Sequence, residues 1–221
     1  MEKLNGLKRV LVLASVSPRR RGFLHQLGYS FEAVAPAVVE RAHAGEAAGD
    51  YVLRNAREKA ADVAERAGRG VVVVAADTIV VLRGRIMEKP RSVEEAREML
   101  RALSGVTHQV ISAFCVRGPG ADGVAMAREG EVTTDVEFKG LTEAEIEAYI
   151  ASGEPMDKAG AYAIQGRAAY MIRQIRGSYT NVVGLPLTEL VTVLAEEFGI
   201  EPRFRNPGEA GAGEGAGDVM G

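Results

Sequence analysis

Two segments of the sequence place charged side chains where an ordinary soluble fold would not need them. The first is LASVSPRRRGFL, residues 13 to 24, in which Ser17 and Pro18 favour the start of a helix. Three arginines follow at positions 19 to 21, although the N-terminus of a helix is already positively polarised. Guanidinium groups, hydroxyls and free backbone N–H groups together suit phosphate oxygens. The segment therefore indicates a phosphate-binding loop, with a plain helix cap and solvent-exposed arginines as the alternative.

Asp77 is the second unusual residue, because it interrupts a long apolar run. VVVVAA precedes it and TIVV follows, so we expect it at or near the end of a buried strand. A buried carboxylate without a partner is costly. The partner could be a divalent cation in a catalytic site, a lysine or a turn. Ligands collect at the carboxyl ends of strands in open α/β sheets, which favours a metal or catalytic role.

Other charged residues become candidates only in combination. Lys59 lies on the apolar stripe of a predicted helix, so its ammonium either reaches solvent or points into a cleft. Glu40, and Glu88 with Lys89, fit ordinary exposed loops as well as a functional site. The histidines lack the spacing of metal ligands, and the sequence contains no nucleophile-elbow or P-loop motif. Triad and kinase-like chemistry are therefore excluded.

The composition bounds the class of protein. The chain has 221 residues, of which 47% are hydrophobic and 26% charged, enough to bury one substantial core. The net charge of −3 argues against a nucleic-acid partner, so any anion site must be local and its ligand a small molecule. The single cysteine, Cys115, lies among apolar residues and predicts a buried structural thiol. Without an apolar stretch long enough for a signal peptide or a membrane span, a cytoplasmic protein is expected.

Hydrophobic periodicity and capping residues predict an α/β fold. A strand over KRVLVLAS leads into the helix at Ser17, and further helices are predicted at about 50 to 67, 92 to 103 and 142 to 152. Extended chain is predicted on both sides of Asp77, and two long strands are predicted at 106 to 117 and 130 to 138. A final amphipathic helix is predicted at LPLTEL. One domain is expected over residues 1 to 205, followed by a disordered Gly/Ala-rich tail at 206 to 221.

Several motifs resemble those of the Maf nucleotide pyrophosphatases in order and approximate spacing. They are LASVSPRR, VVE, EKA, ADTIVV, EKP, LSGVTHQV, SGEPMDKAGAY and GLPL, and they extend over about residues 9 to 195. The resemblance implies a fold of the Maf and inosine-triphosphatase type, in which an elongated mixed sheet carries helices and two lobes enclose a deep cleft. It also implies hydrolysis of a nucleoside triphosphate to a monophosphate and pyrophosphate, a divalent cation such as magnesium or manganese, and a homodimer.

Carried over motif by motif, the resemblance implies a role for each candidate residue. Asp77 would accept a proton and would hold the metal together with Glu40. Lys59 and Lys89 would act on the phosphates during catalysis. Substrate binding would fall to the remaining matched residues: Ser15, Arg19, Arg20, Thr78 and Gln165. The triphosphate would then be the anion that the arginines of the first helix require.

Three hypotheses follow. The leading one is a pyrophosphatase for dTTP and UTP, and for modified pyrimidine nucleotides, because Arg19, Thr78 and Gln165 match that branch of the family. The second is a related enzyme for 7-methyl-GTP or another modified nucleotide, whose branch carries tryptophan, glutamine and glutamate at these positions. The third is a non-catalytic nucleotide-binding regulator of cell division, which the intact Asp77 and Lys89 disfavour.

Overall fold

A computed structural model describes residues 10–68 and 70–204. In these residues seven strands form one mixed sheet in the order β2-β1-β3-β5-β6-β7, with β4 paired to β3. The strands are Val10–Ala14 (β1), Phe31–Ala33 (β2), Val71–Leu82 (β3), Arg85–Met87 (β4), Thr107–Pro119 (β5), Ala125–Phe138 (β6) and Ile172–Arg176 (β7). β1 runs parallel to β2 and β3, and the remaining pairs are antiparallel. The expected α/β class with an elongated mixed sheet is confirmed.

The helices cover both faces of this sheet. They are Pro18–Gln26 (α1), Ala48–Ala67 (α2), Val93–Leu103 (α3), Glu143–Ala151 (α4), Tyr179–Val183 (α5) and Leu187–Glu196 (α6). Short 3-10 turns lie at Glu154–Asp157, Ala159–Ala161 and Arg167–Met171. Within the described part of the chain, no helix has the length and apolar character needed to cross a membrane. The expected tail at 206–221 lies outside the described residues.

Three apolar clusters make up the core. α2 packs on one face of the sheet, where Ala56, Ala60 and Val63 contact β1, β3 and β5. α1 and α6 pack on the opposite face near β1. α3 and α4 cover that opposite face at its other end, together with the 3-10 turns. Cys115 is buried in the cluster under α2 as expected, and burial raises the pKa of its thiol to about 11.

The edge of β3 is left open over a few residues, and this opening positions the site. β1 pairs with β3 as far as Ala75, whereas β4 pairs with the same side of β3 only from Val80 onwards. On the other side, β5 pairs continuously from Val73 to Val81. Asp77 therefore lies in the middle of a strand and not near its end as expected, because β5 keeps the chain extended. It does lie just beyond the end of the parallel neighbour β1.

The capping residues act as expected in two helices and differently in a third. Ser92 accepts a hydrogen bond from Glu95 N at the start of α3, and Thr142 forms a complete capping box with Glu145 at α4. Ser17 occupies the N-cap of α1, but its hydroxyl makes no capping hydrogen bond. Its backbone N–H instead donates to Ser15 Oγ at 3.2 Å, so the loop between β1 and α1 folds back on itself.

His108 lies in the cluster under α3 and α4 and gives a testable pH dependence. Its side chain is buried against Phe138 and Tyr162, and burial lowers the pKa of the imidazole to about 4, against a weaker opposing effect of Asp135. In the unfolded chain the pKa is close to 6.5. Between pH 6.5 and 4 the imidazole is protonated in the unfolded state but still neutral in the folded state. The free energy of unfolding is therefore highest above pH 6.5 and falls as the pH decreases towards 4. The loss is expected to reach about 3 kcal/mol.

Urea denaturation between pH 4 and 7 measures this contribution in the unaltered protein and in a His108→Gln variant. The free energy of unfolding is expected to depend less steeply on pH in the variant, since an amide does not titrate in this range. The carboxylates affect both proteins equally. Parallel curves for the two proteins would contradict the assignment to His108.

Candidate active site

A cavity of about 300 Å³ opens where the edge of β3 is unpaired. Its walls come from the loop after β1, from α2 and β3, and from the segment between α4 and β7. The cavity brings together every site residue predicted from the sequence: Ser15, Arg19, Arg20, Glu40, Lys59, Asp77, Thr78, Lys89 and Gln165. Residues from both ends of the sheet therefore converge on one cleft.

The centre of the cavity is a buried carboxylate held by two donors. Asp77 Oδ1 accepts a hydrogen bond from Lys59 Nζ at 2.7 Å, and Asp77 Oδ2 accepts one from Asn55 Nδ2 at 2.8 Å. The side chains of Asp77 and Lys59 are only 7% and 6% exposed. Asn55 and Lys59 are four residues apart on α2, so both lie on the face that meets the sheet. The partner that Asp77 required is thus a lysine together with an amide.

Lys59 also reaches a second carboxylate. Its Nζ lies 2.8 Å from Glu40 Oε1, on a loop residue whose side chain is 44% exposed. One ammonium therefore holds Glu40 and Asp77 side by side, although the two residues come from a loop and from a strand. Asn55 was missed by the sequence analysis, although a lone asparagine on the buried face of a helix, one turn before Lys59, is a detectable signal.

Arg20 is engaged with the protein itself. Its guanidinium donates to Gly184 O at 2.7 Å, Ala76 O at 2.8 Å, Thr78 Oγ1 at 3.1 Å and Ser15 Oγ at 3.4 Å. These bonds use four of the five N–H groups of an arginine. Ala76 lies where the edge of β3 opposite β5 is unpaired in the described residues, so Arg20 supplies the donor for its carbonyl oxygen. Burial lowers the pKa of Arg20 from its usual value, and the charges of Asp77 and Glu40 oppose this shift.

The other predicted binding residues are less constrained. Arg19 donates one hydrogen bond, from Nε to Val183 O at 3.3 Å, and is half-buried. Lys89 is exposed, and in residues 10–68 and 70–204 its ammonium has no hydrogen bond or ion pair. Gln165 is exposed at the rim of the cavity, beside Gly166. These three side chains are therefore the ones that can rearrange around a ligand.

Thr78 faces the other side of the sheet from Asp77, and buried polar groups fix its hydroxyl. Its Oγ1 lies 2.8 Å from Ser112 Oγ, and Ser112 donates to Asn181 O at 2.9 Å. The Asn181 amide donates in turn to Val110 O and Thr134 Oγ1. The sequence analysis did not find Ser112 or Asn181, because only the pairing of β5 with β3 and the packing of α5 bring them behind Thr78.

The cavity is chemically suited to a polyanion that reacts with water. Basic side chains surround it, which favours phosphate oxygens. Asp77 is a buried carboxylate that can accept a proton, a role that general-base catalysis requires. Other lining residues belong to SGEPMDKAGAY, a segment in which the sequence analysis named no site residue; they include Asp157, Lys158 and Tyr162.

Comparisons of the sequence and of the fold with known proteins gave several matches. The sequence model of a family described as "Maf-like protein" matches residues 10–197. A "dTTP/UTP pyrophosphatase" of Anaeromyxobacter dehalogenans (strain 2CP-C) is 51% identical over 184 residues, which cover 83% of this chain and 92% of the relative. One from Geotalea uraniireducens is 50% identical over 194 residues, covering 88% and 98%. A solved HAM1 protein from Coxiella burnetii has a TM-score of 0.41 at 17% identity, covering 85% of this chain and 99% of that one.

Proposed function

Because the chain belongs to the Maf family, we propose that it is a nucleoside triphosphate pyrophosphatase that converts dTTP and UTP into their monophosphates and pyrophosphate. The observation that carries the proposal is the buried Asp77, held by Lys59 and Asn55 in a cavity lined with basic residues. The relatives named dTTP/UTP pyrophosphatase support this choice of substrate, and modified pyrimidine nucleotides are further candidates.

In the proposed reaction, water attacks the α-phosphorus and the bond from this atom to the bridging oxygen of the β-phosphate breaks. Asp77 accepts the proton that the water loses, and the pyrophosphate departs with the electron pair of the broken bond. Arg19 and Lys89 stabilise the negative charge that gathers on the departing group, because both keep free N–H donors at the cavity. Lys59 holds the carboxylate of Asp77 in position.

The carboxylates of the cavity fit a divalent cation. Magnesium binds hard oxygens and commonly uses one or two carboxylates together with waters and substrate phosphates. Asp77 and Glu40 supply two such carboxylates, both beside the ammonium of Lys59. The described residues contain no cluster of three or more His, Cys, Asp or Glu side chains that could hold a metal, so the phosphates would complete the coordination. A magnesium or manganese ion bound there would neutralise phosphate oxygens.

A nucleotide panel tests the function directly. The purified protein is incubated with dTTP, UTP, GTP and 7-methyl-GTP, with magnesium, with manganese and with a chelator, and pyrophosphate and orthophosphate are measured separately. Release of pyrophosphate from dTTP and UTP, dependent on the metal, is the expected result. Orthophosphate as the first product would contradict the proposed reaction, and nucleotide binding without turnover would favour a regulator.

Gln165 is expected to determine the preference for the base. An amide offers a donor beside an acceptor, which fits the O4 and N3–H edge shared by uracil and thymine. A carboxylate only accepts, and so suits the adjacent N–H donors of guanine. The Gln165→Glu variant is therefore expected to lose about tenfold or more in kcat/KM for dTTP.

The matched control for this variant is Gln174→Glu, which makes the same change on exposed β7 outside the cavity. It is expected to keep the kcat/KM of the unaltered protein. Equal kcat/KM for dTTP and 7-methyl-GTP in the unaltered protein would exclude the pyrimidine assignment and leave the pyrophosphatase reaction standing.

A homodimer and a cytoplasmic location are also proposed, on the family resemblance and on the apolar pattern of the sequence. The partner remains a small nucleotide, with no nucleic acid and no membrane expected to bind. Sedimentation at micromolar concentration and fractionation of the source cells test the two statements separately.

A further inference from the structure

The basic residues assigned to phosphate binding are largely committed to protein partners. Lys59 is paired with two carboxylates, and Arg20 donates four hydrogen bonds within the protein. Arg19 and Lys89 retain free donors, but Lys89 is exposed. A nucleoside triphosphate carries several negative charges on adjacent phosphates, so a further cation at the cavity wall would strengthen its binding.

Lys158 is such a cation. It lines the same cavity, and its side chain is only 13% exposed, so the ammonium cannot simply extend into solvent. Its ion-pair partner is Asp157, whose side chain is 75% exposed. An ion pair with such an exposed carboxylate contributes little, because water competes for the carboxylate. A phosphate in the cavity can therefore replace this carboxylate on Lys158 at small cost.

The backbone around Lys158 is held in a constrained conformation against β3. Gly160 has φ +67°, and a Cβ there would lie 2.9 to 3.0 Å from the side chain of Val80. Gly160 N donates to Glu88 O at 3.2 Å, which fixes the turn beside Lys89. Ala161 also has a positive φ of 59°, a conformation that costs energy in a residue with a Cβ. Packing against β3 stabilises this strained turn, and the turn holds Lys158 at the cavity wall.

We propose that Lys158 is a substrate-binding residue that contacts the phosphates of the nucleotide, and that Asp157 is the carboxylate those phosphates replace. The proposal rests on the function proposed above. It assigns a role to the segment SGEPMDKAGAY, for which the mechanism had named none.

Titration calorimetry with inorganic pyrophosphate and with dTMP, each in the presence of magnesium, tests the contact without turnover. Lys158→Met is expected to weaken the binding of at least one of the two ligands by about tenfold or more, the loss expected for a charge-assisted hydrogen bond. Its KM for dTTP is expected to rise in parallel. Lys158→Arg is expected to keep most of the affinity, since the charge remains.

The control is Lys139→Met, because Lys139 pairs with Glu145 at 2.5 Å and lies outside the cavity. Asp157→Asn is expected to bind pyrophosphate at least as tightly as the unaltered protein. Unchanged affinity of Lys158→Met for both ligands, or a tenfold loss in Asp157→Asn, would overturn the proposal. If Lys158→Met does not fold, Lys158→Gln is measured against the same criterion.

The phosphate contact of Lys158 and the hydrolysis of nucleotides can be tested separately. If the protein binds pyrophosphate through Lys158 but hydrolyses no nucleotide, the Lys158 contact is supported and the proposed reaction is contradicted. If the Lys158→Met variant releases pyrophosphate from dTTP with unchanged rate and KM, the proposed reaction is supported and the Lys158 contact is contradicted.

Discussion

The Asp77→Asn variant is expected to lose turnover of dTTP by at least about a thousandfold while remaining folded. The amide keeps the shape of the side chain but removes the charge that, in the proposed reaction, would accept the proton and bind a cation. Proton acceptance and cation binding are both proposed for this one carboxylate, which Lys59 and Asn55 hold in the cavity, so a single substitution removes both roles. The expected loss is therefore the largest among the single substitutions considered for this protein.

Folding is expected to survive because of Asn55. Its Oδ1 is buried and has no hydrogen-bond partner in the described structure, while its Nδ2 donates to Asp77. Rotation of the Asn55 amide would turn Oδ1 towards the new amide N–H₂ at position 77. The new amide oxygen would then accept from Lys59, so both buried contacts persist.

Steady-state release of pyrophosphate and a thermal melt measure the two parts of this prediction. Glu65→Gln serves as the control, because it neutralises an exposed carboxylate on α2 away from the cavity. Turnover of Asp77→Asn within tenfold of the unaltered protein would remove Asp77 from the mechanism. Loss of the cooperative melt would show that the carboxylate is needed for folding.

The Lys59→Met variant is expected to lower the free energy of unfolding by about 3 kcal/mol, because removing one partner of a buried ion pair leaves the other charge uncompensated. Methionine fills the space of the lysine stem, so the cost reflects the charge and not a void. The same change frees Glu40 from Asp77. Turnover is therefore expected to fall by about a hundredfold or more.

A double-mutant cycle separates the ion pair from packing. In Lys59→Met/Asp77→Asn neither charge of the pair remains, so the double variant is expected to be at least about 1 kcal/mol more stable than Lys59→Met alone. Urea denaturation at pH 7 measures all members of the cycle. Lys139→Met, which breaks a more exposed pair, is expected to cost less than about 1 kcal/mol. Additive losses in the cycle would contradict a direct coupling of Lys59 with Asp77.

Most secondary structure could be predicted from local pattern. The helices at α2, α3 and α4 follow from apolar spacing and from capping residues such as Ser92 and Thr142. β7 and α5 were not predicted, because residues 152 to 184 are interrupted by glycines and show little hydrophobic periodicity. These two elements are stabilised by their contacts with β6 and β5. The position of Asp77 within its strand was also wrong, since the length of β3 is set by its pairing with β5.

The sequence by itself determined the chemistry that this protein can perform. The types and order of the charged residues, from Ser15 to Gln165, indicated phosphate binding and a carboxylate in need of a partner, and their motifs indicated the family. Residue types and their local spacing are properties of the sequence itself, so they can be identified before the tertiary structure is known.

Only the tertiary structure decided which charge meets which. Lys59 satisfies Asp77 and Glu40 together, Arg20 is used to hold Ala76 and Gly184, and Lys158 joins the cavity from a segment about a hundred residues further along the chain than Lys59. The physical reason is that such pairings depend on distances across the unpaired edge of β3, and these distances are set by how strands and helices pack and not by sequence separation.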